Sequence, residues 1–376
     1  MTDAFWTGKR VFLTGHTGFK GSWLALWLSS LGARVTGYSL DPPTEPSLYR
    51  EAGVDELVHS VHADVRDRDA VALELRRAEP DVVFHLAAQS LVRESYRTPV
   101  ETFEVNLLGT VHVLEAVRTC PSVRAVVVVT SDKCYENREW VWGYRESDPL
   151  GGFDPYSSSK ACAELAAAAY RSSFFPPDRH RGHGGHGVAL ATVRAGNVIG
   201  GGDWAADRVV PDCFRAFERG EAVAVRNPGA MRPWQHVLDP LHGYLVLAER
   251  LVVDGPELAG AWNFGPDDAD VRTVGSLVEA LCRHWGNGAA CAIDAGAHPH
   301  EARFLKLDCS RAHTLLGWRP LWDLEAAVAR TVSWARNRLG GADARTLCLD
   351  QIREYDAALA RRADSATSPG ARPVQS

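Results

Sequence analysis

Three glycines spaced three residues apart, Gly15, Gly18 and Gly21, follow the short apolar run Arg10–Leu13. They lead into Ser22–Leu31, whose apolar positions 23, 24, 27, 28 and 31 form a helical stripe. A strand, a glycine turn and a helix in that order build a phosphate-binding crevice. The glycines permit a tight turn and close backbone approach, and the helix N-terminus faces a pyrophosphate. A glycine triplet alone is a weak signal, but the alternation of elements along the chain strengthens it. Residues 34–40, 57–63, 82–86, 126–129 and 188–193 read as strands, and 67–79, 99–118 and 157–174 read as helices. This alternation predicts an α/β fold with a doubly wound parallel sheet of Rossmann type, followed by a smaller C-terminal substrate domain.

The loop has chemistry beyond its glycines. His16 either contacts a dinucleotide or lines the loop, and Phe19 opens the helix. Strand two ends in Ser39-Leu40-Asp41. Ser39 falls where an acid often binds the adenosine ribose of NAD, and Asp41 stands two positions on. No Arg stands there for a 2′-phosphate, so NAD is expected rather than NADP. Asp64 and Val65 after strand three are candidates for the adenine. Leu86, Ala87 and Ala88 end strand four with small residues that let the backbone approach the cofactor, or that simply pack.

Downstream, the apolar strand 125–129 runs into Ser131, Asp132 and Lys133, at the strand end where open α/β sheets bind ligands. Tyr156 and Lys160 come next, one helical turn apart and on one face. An ammonium beside a phenol is expected to lower its pKa from about 10 and make it a base for an alcohol proton. An acid and an amine beside a redox pair point to a step besides oxidation. Asp132 as a helix or turn cap, Lys133 as a surface charge and Ser131 as a turn serine are the structural alternatives. Cys134 and Tyr135 read as packing residues.

Composition narrows the class. The 376 residues suffice for one large or two modest domains, with ordinary hydrophobic (45%) and charged (23%) content. A net charge of −6 without a Lys/Arg run disfavours nucleic acid and anionic membranes as partners. No apolar run reaches membrane-spanning length, and no signal-peptide pattern is present. Eight scattered cysteines without a C-x-x-C pair read as reduced thiols of a cytoplasmic protein, with no metal site. The Gly/His/Pro-rich stretch 176–187 reads as a surface insertion rather than a metal site. The expected division is an NAD-binding domain over 1–194 with a returning segment near 235–265, and a nucleotide-sugar-binding domain over 195–234 and 266–335. The tail 362–376 is expected to be disordered.

With these pieces in place, the chain resembles the extended short-chain dehydrogenase/reductase family over residues 8–335, and within it the nucleotide-sugar 4,6-dehydratases. The resemblance rests on residues 15–23, 130–137, 142–145 and 148–152, and on Arg194-Ala195-Gly196-Asn197 with the residues to Trp204. Residues 232–237, 305–310 and 316–320 add to it. It implies an internal redox dehydration of a nucleotide sugar, with CDP-glucose as substrate. Tyr156, with Lys160, would take the C4 hydroxyl proton as hydride moves to NAD, and Ser131 would bond that hydroxyl. Asp132 and Lys133 would be the acid and base that remove water across C5 and C6, and hydride would return to C6. Related enzymes acting on dTDP-glucose have a glutamate where Lys133 stands. Gln89 and Asn197 are candidates for the sugar or its phosphate, and Arg208, Arg232 and Arg303 for the pyrophosphate. Trp204 and Trp234 suit either stacking or core packing. The alternatives are a dehydratase for UDP-N-acetylglucosamine or dTDP-glucose, a nucleotide-sugar 4-epimerase, or a non-catalytic dinucleotide sensor. A homo-oligomer, dimer or tetramer, is expected through the 99–118 and 157–174 helices.

Overall fold

A computed structural model describes residues 3–176, 187–294, 296 and 304–367. Seven parallel strands form its central sheet: β1 (Arg10–Thr14), β2 (Arg34–Ser39), β3 (His59–His62), β4 (Val82–His85), β5 (Ala125–Val129), β6 (Ala189–Ala195) and β7 (Gly260–Phe264). Their order across the sheet is β7-β6-β5-β4-β1-β2-β3. The chain winds to one side through β2 and β3, then returns to β4 and winds to the other. The crevice of a doubly wound sheet opens between β1 and β4, where that reversal leaves their carboxyl ends uncovered. Strands β4, β5 and β6 are buried at every residue, as expected of parallel strands covered on both faces. Strand β7 joins β6 in parallel register, with Gly260 opposite Ala191 and Phe264 opposite Ala195. The strand pattern of the first half did not include it, because its five residues carry no alternation and lie far along the chain.

The helices that matter to the site are α1 (Phe19–Ser30), α2 (Arg68–Ala78), α3 (Gly109–Arg118) and α4 (Pro155–Ser173). The predicted helix over 99–118 is interrupted by a π turn at Glu104–Leu108, which puts Asn106 into the interior. Helix α4 starts sharply. Asp154 accepts from the Ser157 amide at 2.9 Å and from its hydroxyl at 2.7 Å, and Pro155 occupies the first helical position. That start puts Tyr156 in the first turn of the helix.

Beyond β6 the structure is more irregular. Short strand pairs join Val198–Ile199 to Gln235–His236, Met231–Pro233 to Val271–Thr273, and Val223–Val225 to Cys291–Ile293. Helices α5 (Val209–Glu218), α6 (Leu238–Val253), α7 (Val274–Trp285), α8 (Leu324–Leu339) and α9 (Ala344–Thr367) complete the fold. Helix α9 continues to Thr367, so 362–367 are helical rather than disordered. The run of Ala, Leu and Arg there has high helix propensity. Tyr355 of α9 packs edge-on against Trp27 of α1, with ring centroids 5.6 Å apart. The histidine-rich stretch 177–186 and residues 368–376 lie outside the described residues.

Candidate active site

The phosphate loop is built by backbone crowding. Gly15 has φ +77°, and a Cβ there would lie 2.7 Å from the Ala87 nitrogen. A Cβ on Gly21 would lie 2.0 Å from the Gly15 carbonyl oxygen. Thr14 Oγ1 accepts from the Leu86 and Ala87 amides at 3.1 Å each, which clamps the ends of β1 and β4 together. Gly18, Phe19 and Ala88 border the same crevice. This cradle admits only glycine at its crossing points, and it fits a dinucleotide pyrophosphate at the α1 N-terminus.

The adenosine side differs from expectation in detail. His16 is turned away from the loop mouth. Its Nε2 lies 2.5 Å from Ser60 Oγ, its ring packs edge-on to Tyr49, and burial, with His62 as a smaller cause, pushes its pKa down to about 4. Ser39 Oγ lies 2.8 Å from Thr17 Oγ1 at the end of β2, where a ribose contact was expected. Asp41 is largely exposed and pairs with His62 at 2.9 Å. Asp64 binds Arg66 through both side chain and backbone, and Val65 is a core residue whose carbonyl meets His112 Nδ1 at 3.0 Å. Of the two adenine candidates, Asp64 alone is partly open.

The catalytic candidates converge at the carboxyl end of β5. Asp132–Cys134 is one 3₁₀ turn, capped by Ser131, whose hydroxyl accepts from the Lys133 amide at 3.2 Å and donates to Asp132 Oδ1 at 3.0 Å. Ser131 is therefore both the turn serine and a neighbour of the acid. Asp132 is buried, with Oδ2 lacking a hydrogen-bond partner. Burial lifts its pKa above the usual carboxylate range; Lys133, the Ser131 hydrogen bond, Arg232 and Lys20 oppose this. Burial favours the protonated carboxyl and the neighbouring cations favour the ionised one.

Tyr156 and Lys160 are both buried. Lys160 Nζ donates to the Val129 carbonyl oxygen at 3.1 Å. Burial pushes Lys160 down to about 8, with Glu164 and then Cys134 holding it up. The expected fall of the phenol pKa is not found. Burial raises Tyr156 to about 12; the Ser131 hydrogen bond and Arg208 oppose, and Asp132 adds to the rise. Desolvating a phenolate outweighs the Ser131 hydrogen bond and the Arg208 charge, and Lys160 is bonded to the Val129 carbonyl.

The substrate candidates divide. Arg208 binds Asp203 Oδ2 and Ser90 Oγ at 3.0 Å each, and its charge reaches Tyr156. Arg232 is buried near Asp132 and donates to the Met231 carbonyl at 2.9 Å. Asn197 sits half-buried in the turn after β6, its carbonyl accepting from the Gln235 amide. Gln89 is engaged within its own turn. Its carboxamide is committed to the Leu91 amide and carbonyl and to Thr102 Oγ1, and its backbone amide donates to Asn106 Oδ1, so it closes a turn instead of facing a sugar. Arg303 lies outside the described residues. Trp234 donates to the Arg272 carbonyl, and Trp204 packs edge-on to Trp334, so both are packing residues. Tyr135 does more than pack: its hydroxyl joins Arg194 and Asn263, each at 2.7 Å.

Lys20 escaped the reading of the sequence. It stands in the first turn of α1, and burial pushes it down to about 8, with Arg208 and Lys160 lowering and Asp132 raising it. A lysine between two loop glycines, where only backbone is needed for phosphate, was the available signal.

The model of the NAD dependent epimerase/dehydratase family matches residues 11–263. The chain belongs to that family. Among members of known name, it is 52% identical to the CDP-glucose 4,6-dehydratase of Salmonella typhimurium, over 95% of this chain and 99% of the relative. The fold of this family member also matches solved structures. One is a double mutant of the dTDP-glucose 4,6-dehydratase of Streptomyces venezuelae with NAD bound, at TM-score 0.73 and 24% identity over 89% of this chain and 99% of that one. Another is the UDP-glucose 4-epimerase of Thermotoga maritima with UDP-glucose, at TM-score 0.73 and 21% identity over 88% and 99%.

Proposed function

We propose that this chain converts CDP-glucose to CDP-4-keto-6-deoxyglucose and water as an NAD-dependent 4,6-dehydratase. The observation that carries this reading is the 52% identity, over nearly the full length of both chains, to a CDP-glucose 4,6-dehydratase. The chemistry of the residues around β5 supports it. NAD, when bound at the glycine loop, supplies a hydride acceptor for C4 and a donor for C6, and ends the cycle oxidised. Tyr156 takes the C4 hydroxyl proton, and Ser131 orients that hydroxyl. Lys160 supplies positive charge beside the phenol, which its neutral-range pKa of about 8 permits. With a ketone at C4 the C5 proton is acidic. Lys133 removes it, and Asp132, whose affinity for a proton burial raises, protonates the departing C6 hydroxyl. The C6 hydroxyl leaves as water with the Asp132 proton, and Lys133 returns a proton to C5 as hydride adds to C6, so no redox equivalent is consumed.

Arg208, Arg232 and Arg303 are the pyrophosphate ligands, with Asn197 for the sugar or its phosphate. Residues 1–194 with 235–265 act as the cofactor domain and the remainder to 335 as the sugar-nucleotide domain. The protein works in the cytoplasm as a homo-oligomer, dimer or tetramer. Eight unpaired cysteines and the absence of a membrane-crossing helix among the described residues agree with that compartment.

The test is incubation with NAD and, separately, CDP-glucose, UDP-N-acetylglucosamine and dTDP-glucose, reading the alkaline absorbance of a 4-keto-6-deoxy product. CDP-glucose should turn over best. Preference for another sugar nucleotide would reassign the substrate, and no product from any of them would sink the dehydratase reading.

A further inference from the structure

The Ser131–Cys134 turn is held at both ends by one buried ion pair. On its entry side, Thr130 Oγ1 donates to Glu164 Oε1 at 2.5 Å. On its exit side, Tyr135 Oη accepts from Arg194 Nη1 at 2.7 Å, and the guanidinium lies 4.8 Å from the centre of the Tyr135 ring. Glu164 and Arg194 are themselves joined twice, Nε to Oε1 at 2.9 Å and Nη2 to Oε2 at 2.8 Å, with both side chains 3% exposed. Thr192 Oγ1 donates to Oε2 at 2.7 Å, so the carboxylate receives four hydrogen bonds.

Glu164 is also one helical turn beyond Lys160 and two beyond Tyr156 on α4. One carboxylate thus joins the helix bearing the redox pair to the turn bearing the acid and the base. Buried ion pairs are expensive, and apolar side chains of similar volume often stabilise a fold better. Registering two functional elements is a reason to keep one here. We propose that Glu164 is a positioning residue that sets the Ser131–Asp132–Lys133 turn against Tyr156 and Lys160, so that C5 deprotonation follows C4 oxidation in one site. The proposal rests on the dehydratase reading.

Glu164 has a second effect that a purely structural residue lacks. It is the leading charge opposing the burial of Lys160. The other titratable groups near Lys160 are Cys134 on the turn, His85 on β4 and Lys20 on α1. Lys20 disfavours a charged Lys160, and neutral His85 does not support one. Removing the Glu164 charge therefore lowers the Lys160 pKa, and the alkaline limb of kcat moves to lower pH.

The experiment compares wild type, Glu164→Gln and Thr130→Val with CDP-glucose and NAD in deuterated water. It reads deuterium at C5, kcat, KM, the pH profile from 6 to 9, and the melting temperature. If another sugar nucleotide is the better substrate, the same ratios are read with that one. Turnover by the wild type tests the dehydratase reading, and the variant-to-wild-type ratio tests Glu164. Glu164→Gln should lose about tenfold to a hundredfold in kcat, the scale of a misplaced reacting group. KM should change little, and the alkaline limb should move down. Thr130→Val, which removes one link and no charge, should lower kcat and C5 exchange without moving the limb. A Glu164→Gln enzyme with the wild-type limb overturns the proposal. If Glu164→Gln does not fold, Thr130→Val decides, and wild-type kcat in that variant overturns it.

Discussion

Lys160 gives its hydrogen bond to the Val129 carbonyl oxygen, the last of β5, at 3.1 Å. The ammonium is thereby tied to the strand whose carboxyl end leads into Ser131, and its charge reaches the reaction from beneath the turn. Lys160 and the Ser131–Cys134 turn are both anchored at one strand end.

Removing the buried ammonium should stabilise the fold while destroying activity. Its pKa is lowered from 10.5 to about 8 in the folded state, so between those values the unfolded chain binds more protons and stability rises with pH. Below about pH 8 the folded protein carries a buried charge at a cost of up to about 3 kcal/mol. Lys160→Met should therefore unfold at higher urea concentration than wild type at pH 7, with turnover lost. A lower midpoint would contradict this account of the Lys160 environment.

Tyr156→Phe should lose about a hundredfold to ten-thousandfold in kcat, the usual contribution of a positioned acid or base. Its melting temperature should stay close to wild type, because only one hydroxyl and its hydrogen bond to Ser131 are removed. A variant retaining a tenth of wild-type kcat would move the base role elsewhere.

Lys133→Met should separate the two halves of the reaction. C4 oxidation should persist, seen as cofactor reduction in a single turnover, while solvent deuterium no longer enters C5. Normal C5 exchange would remove Lys133 from the base role.

Gly21→Ala should abolish NAD binding in calorimetric titration. Its Cβ would lie 2.0 Å from the Gly15 carbonyl oxygen, which is backbone and cannot swing aside. The overpacked loop should also cost about 1–3 kcal/mol of stability. Unchanged NAD affinity would show that the crossing of these two backbones is not needed for the cofactor.

Asp239 gives a pH prediction outside the active site. Burial raises it from 3.8 to about 7, although the Leu321 amide and the Tyr355 hydroxyl donate to it. The folded protein holds the extra proton between those pH values, so stability from this group falls as pH rises through that window, by up to about 4 kcal/mol. Asp239→Asn should flatten urea-unfolding stability between pH 5 and 7 and leave the variant more stable than wild type at pH 8. An unchanged slope would place the titration elsewhere.

Much of the fold and the site is legible in the chain itself. The glycine spacing, the βα alternation and the distinctive strings from Gly15 to Pro320 determined the doubly wound sheet and the cofactor class and singled out the catalytic candidates. Those signals are local, because a strand, a turn and a helix write their geometry into adjacent residues. The start of α4 is of this kind, with Asp154 and Pro155 adjacent to the tyrosine they position.

Tertiary structure decided what depends on residues far apart in sequence. The Gln89 carboxamide is consumed by Leu91 and by Thr102 of a neighbouring helix, and Asp41 is drawn to His62 of the next strand. Tyr135 became a hydrogen-bonding link through Arg194 and Asn263, 59 and 128 residues away. The direction of the Tyr156 shift belongs here too. A lysine one turn away suggested a lowered phenol, but burial is a property of the whole packed chain, and in the folded protein it raises Tyr156 against the Ser131 hydrogen bond and the Arg208 charge.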